Sequence, residues 1–119
     1  MSYTSGMQNN NLSTKIDQAN TIRWISGRNY DGYKDLLSYI AHLWLHQEIL
    51  NGRFDGYNLY DLPTQNWDYI IDFTYINSGQ SLMVKAHSFF GYTDYVRYAS
   101  KQANGTYAWT DVWKSRTFA

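Results

Sequence analysis

The chain has 119 residues, 44% of them apolar and 18% aromatic, and its ten basic residues balance ten acidic ones. That length suits one domain with a compact core, and the balanced, scattered charge offers no field that would attract a nucleic-acid backbone. The absence of cysteine excludes disulfides, thiolate metal sites and thiol nucleophiles, and no apolar run reaches the roughly eighteen residues that a membrane-spanning helix needs.

Residues 1–20 are rich in Ser, Thr, Asn and Gln, with Leu12, Ile16 and Ala19 thinly spread among them. Such a segment buries too little surface to fold alone, so it is expected as an extended arm ordered by partner chains. It lacks the basic-then-apolar order of a signal peptide, which predicts an intracellular product or one released by cell lysis. Residues 21–119 are expected to form a single domain.

Residues 21–25 (TIRWI) are short, β-branched and alternating, and predict a strand ended by Ser26 and Gly27. The period then changes. Leu36, Leu37, Ile40, Leu43, Trp44 and Leu45 recur at spacings of three and four, which predicts an amphipathic helix over about 34–50. Asp31 is the expected cap, and Asn51-Gly52 the expected stop.

Beyond Gly56 the pattern is that of strands. After the loop holding Pro63, residues 67–76 alternate, with Trp67, Tyr69, Ile71, Phe73 and Tyr75 on one face. Asn77-Ser78-Gly79-Gln80 reads as a hairpin turn, Leu82, Val84 and Ala86 as the inward set of the next strand, and residues 93–99 and 106–114 as two further strands. Connections this short predict an antiparallel meander. The expected fold class is α+β: an N-terminal arm, one helix and a small twisted antiparallel sheet.

The residues Asn58-Leu59-Tyr60-Asp61-Leu62, Pro63-Thr64 and Trp67-Asp68-Tyr69-Ile70, then Tyr95-Val96-Arg97, then Asn104-Gly105-Thr106-Tyr107-Ala108-Trp109, resemble the C-terminal knob modules of phage tail fibres and pyocin fibres. The likeness runs over roughly residues 56–114. Tyr107 stands where those modules carry a first Trp, and one residue is missing before Trp109, which leaves the face of Trp109 open. The resemblance implies a virion protein of a tail or appendage, made in the host cytoplasm. It further implies a homo-oligomer, with a trimer favoured, held among other virion proteins and serving host-surface attachment without catalysis.

Aromatic rings stack on the C–H faces of sugars while neighbouring Asp, Asn and Arg take the hydroxyls. On that ground Trp67, Tyr92, Asp94, Tyr95, Arg97, Trp109 and Asp111 are the candidate ligand-binding residues for a host glycan. The alternative is a structural adaptor or decoration protein whose rings fill subunit interfaces. His42 and His46 have the spacing of two ligands on one metal, but the intervening residues hold no acidic general base, so neither a metal nor any other cofactor is expected. Asp68 and Asp72 share a strand face at a separation compatible with acid/base catalysis, an alternation that a polar outer face also produces. The expectation is therefore a binding or structural protein, not an enzyme, with no nucleic-acid partner and no membrane insertion.

Overall fold

The computed structural model describes residues 22–65, 67–89 and 93–117; the proposed N-terminal arm lies outside the described residues. The element order is β1 (Arg23–Ile25), a 3-10 turn (Tyr30–Gly32), α1 (Leu36–Gln47), β2 (Asn51–Gly56), β3 (Tyr69–Ile76), β4 (Ser81–Ser88), β5 (Thr93–Lys101), β6 (Tyr107–Trp109) and β7 (Lys114–Thr117). One helix thus lies against an open, mostly antiparallel sheet of seven strands, an α+β architecture dominated by its sheet.

A simple meander following a helix is not what forms. β1 pairs in parallel with β2, from Arg23 opposite Gly52 to Ile25 opposite Phe54, so α1 serves as the crossover of a β-α-β unit. From β2 onward each neighbour is antiparallel through β3, β4 and β5. The free side of β5 is then shared: β6 pairs with residues 99–101 and β7 with residues 93–96.

The helix is shorter at both ends than the predicted 34–50. Its cap is Asp35, whose carboxylate accepts the Ser38 N–H at 2.9 Å. Asp31 instead sits inside the 3-10 turn with φ of 50°. At the other end Glu48 takes the left-handed conformation that a glycine normally supplies, and the N–H groups of Glu48 and Ile49 satisfy the carbonyls of Trp44 and Leu43. Asn51-Gly52, predicted as the helix stop, begins β2.

The segment NGRFDG has little strand propensity, yet it pairs along its whole length with β3. Its glycines explain the contradiction. A Cβ on Gly52 would collide with the Cε1–Cζ edge of the Phe73 ring, and one on Gly56 would meet Ile71 at 2.6 Å. Bare backbone is what lets these core side chains lie flat across the strand.

The core lies between α1 and one face of the sheet. Leu36, Leu37, Tyr39, Ile40 and Leu43 pack over Phe54, Tyr69, Ile71, Phe73, Tyr75, Leu82, Val84 and Ala86. The predicted inward sets of β3 and β4 are all buried, with the exception of Trp67, which precedes β3 and stays 42% exposed. Rings replace aliphatic volume throughout: Tyr39 stacks on Phe54 at 5.0 Å, and Tyr75, whose phenol is pushed up by burial and by Tyr107, donates to the Ile40 carbonyl at 3.1 Å. The opposite face of the sheet carries no layer among the described residues.

Candidate functional site

Four of the predicted binding residues do come together, at the β5–β6–β7 edge. Tyr95 and Arg97 project from β5 on the core side, opposite Ala86 and Val84. Residues 110–113 leave the ladder between β6 and β7, so the two β5 residues Arg97 and Tyr98 face a longer stretch of chain. Asp111 repairs the break: its carboxylate accepts the Tyr98 N–H at 3.0 Å, and its carbonyl accepts Arg97 Nε at 2.8 Å. Arg97 lies 4.4 Å above the Trp109 ring, and Trp113 stands 5.6 Å from Trp109 with Tyr95 edge-on to it. Trp109 and Trp113 therefore share a location, whereas Asp111 serves the backbone.

Both indoles are anchored on a residue that sequence reasoning passed over. Asp61 accepts Trp109 Nε1 on its carboxylate at 3.1 Å and Trp113 Nε1 on its carbonyl at 2.7 Å. The same carboxylate accepts the first two helical N–H groups, Leu36 at 2.5 Å and Leu37 at 3.1 Å. One loop carboxylate thus ties the start of α1 to the C-terminal strands. No local pattern signals this, because its partners lie 24–48 residues away in sequence.

The outer face of the sheet carries a row of charges. Arg53 binds Asp72 through two bonds of 2.5 and 2.9 Å, His87 Nε2 lies 3.0 Å from Asp72, and His87 Nδ1 lies 3.1 Å from Asp94. Burial pushes the Asp72 carboxyl up, but the hydrogen bonds and charges of Arg53 and His87 more than offset that, and it titrates below the usual carboxylate range. A folded-state value below the unfolded one means that the contribution is fully present above about pH 4 and is lost as pH falls through the folded-state value. Asp72→Asn is expected to cost about 1–2 kcal/mol at pH 7. Thermal melts of the two proteins should draw together as pH falls below about 4 and converge only below the lowered folded-state value, where the wild-type carboxyl is protonated too. A gap that stays constant down to pH 2.5 would remove the ion pair as its cause. Asp68 has a different partner from Asp72, Arg28 at 3.4 Å.

A third cluster sits at the end of the sheet where β2 stops and β3 begins. Tyr57, Trp67 and Phe89 follow or precede the adjacent strand ends and remain 37%, 42% and 48% exposed. Trp67 donates its indole N–H to Ser88 Oγ at 2.8 Å, which fixes the ring while leaving it accessible. Arg28 lies 5.4 Å from the Tyr57 ring centroid and reaches Asp68 and Asp55 at 3.4 and 3.8 Å. Beside Tyr57 a shallow depression of about 220 Å³ is lined by Asn29, Tyr33, Lys34 and Asn58. Of the predicted residues only Trp67 belongs here; Asp94 is on the outer face, and Tyr92 lies outside the described residues.

His42 and His46 are neighbours on α1, with ring centroids 4.6 Å apart, and His42 Nε2 lies 3.2 Å from Asp31. Among the described residues no three such side chains stand together as a metal-binding group, and no helix is long and apolar enough to cross a membrane. No protein-family model matches the chain, and no curated protein or solved structure matches it.

Proposed function

We propose that the chain is a virion component of a phage tail fibre or related appendage, probing host-surface glycan through the rings at the Arg28 end of the sheet. The observation that carries this reading is the set Tyr57, Trp67 and Phe89, partly exposed rings near a guanidinium–carboxylate pair. Flat rings give stacking area, while Asp68, Ser88, Asn58 and Arg28 give donors and acceptors for hydroxyl groups. The C-terminal Trp pair, by contrast, has its polar atoms occupied inside the fold. A shallow surface of this kind suits weak contacts that gain strength from several copies, as in a trimer.

A glycan array probed with the recombinant chain tests the reading. Trp67→Ala is expected to lose binding by about tenfold or more while shifting stability by under about 1 kcal/mol, as for a half-exposed side chain. Retained binding would sink the site. The alternative, a structural adaptor without a ligand, draws support from β1, an edge strand on which Trp24 is 53% exposed beside Ile22 at 48%. An array with no positive glycan, together with a stable oligomer by mass measurement, would favour that second reading.

A further inference from the structure

We infer that the outer face of β4, β5 and β7 forms a second binding site, for the carboxylate-bearing ring of an acidic sugar. It stands on residues other than those of the Trp67 site, meeting it only where His87 adjoins Ser88, and does not depend on that site. The groove encloses about 410 Å³, and its walls follow from the register of three strands. Lys85, Val96 and Lys114 lie side by side across β4, β5 and β7, so an apolar floor is flanked by two lysines whose backbones are about 10 Å apart, twice the strand spacing. Met83 and Tyr98 are paired at one end, with Tyr98 39% exposed. His87, Asp94 and Arg116 are aligned at the other.

The charge here is uneven in a chain that is neutral as a whole. Lys85 and Lys114 stand on either side of the floor, and the one lining carboxylate, Asp94, is already bonded to His87. Asp72, which faces Lys85 across the ladder, is already held by Arg53 and His87, so Lys85 makes no ion pair among the described residues. Lys114 reaches Asp111 only at 3.5 Å and is 67% exposed. A monovalent carboxylate fits between such cations, whereas the Asp94 carboxylate disfavours a dianion such as phosphate. Asp94 also gives an acceptor for hydroxyl groups, and the Tyr98 ring gives a stacking surface, both of which a sugar uses and a bare anion does not.

The test is a titration of the intact chain with sodium glucuronate, read by the backbone amide shifts of residues 83–87, 94–98 and 114–116. Glucose and inorganic phosphate serve as the neutral and sugar-free comparisons. Saturable shifts with a Kd on the order of 1–10 mM are expected for glucuronate, with glucose and phosphate each about tenfold weaker or worse. Lys85→Met and Tyr98→Ala, both at exposed outer positions, should each weaken glucuronate by about tenfold without changing the melting profile. Trp67→Ala should leave this titration unchanged. Phosphate binding as tight as glucuronate, no saturation by about 50 mM, or indifference to Lys85→Met would each overturn the assignment.

Discussion

Asp61→Ala is expected to be among the most damaging single changes in the chain, lowering stability by about 3 kcal/mol. The figure follows from what the carboxylate satisfies: two N–H groups at the start of α1 and the indole N–H of Trp109. Loss of a helix cap costs about 1 kcal/mol, and each partly buried donor left without an acceptor costs about 1–3 kcal/mol. The melting midpoint should fall by roughly 10–15 °C in a domain of this size. Asp61→Asn, which keeps one acceptor oxygen, should lose roughly half as much. Trp fluorescence would report the same event locally, because Trp109 loses the carboxylate that holds its indole under Arg97, while Trp113 keeps its bond to the residue 61 carbonyl. Urea unfolding of the two variants checks the ranking. An Asp61→Ala protein within about 0.5 kcal/mol of wild type would mean that water replaces the carboxylate at no cost.

Gly52→Ala is the second large effect, at about 2–3 kcal/mol, and its cause is steric. The added Cβ meets the Phe73 ring, which is 1% exposed in the middle of the core and has no free space to enter. Phe73→Leu alone should cost about 1–2 kcal/mol through lost packing. The double variant separates this account from a simple loss of chain flexibility. If the ring is the obstacle, Gly52→Ala in the Phe73→Leu background should cost at least about 1 kcal/mol less than in wild type. Strict additivity would contradict the packing argument.

These two positions also mark where the sequence stopped being informative. The alternation in β3 and β4 was readable because Tyr69, Ile71, Phe73 and Tyr75 share one buried face, and a period of two survives any tertiary context. The helix was readable from its apolar spacing, but its ends were not. Glu48 occupies a left-handed position without the glycine that usually announces it. β2 was missed because its two glycines look like breakers, when they are the hollow into which Phe73 and Ile71 fit. The parallel pairing of β1 with β2 is a long-range contact that no local pattern encodes.

The site was less legible than the fold, for a related reason. Counting rings nominated Trp109 and Tyr95 on the same footing as Trp67, and the difference between them is set by partners far along the chain. Asp61 takes the Trp109 indole, whereas Ser88 holds Trp67 by one bond and leaves much of its ring in solvent. Asp111 looks like a sugar ligand in sequence, yet it closes the gap that residues 110–113 open in the ladder. Tyr57 and Arg28 flank turns and have no strand period to betray them.

Trp109 and Trp113 hold the fold through Asp61, and the proposed function gives Trp67, held only by Ser88, the role of facing a ligand. The most direct measurement is the indole N–H spectrum of the nitrogen-15-labelled chain, followed during hydrogen exchange and during titration with a glycan that scores on the array. The Trp109 and Trp113 signals should exchange slowly and stay unmoved by the glycan, while the Trp67 signal shifts saturably. Shifts at Trp109 or Trp113 with Trp67 unaffected would contradict the account.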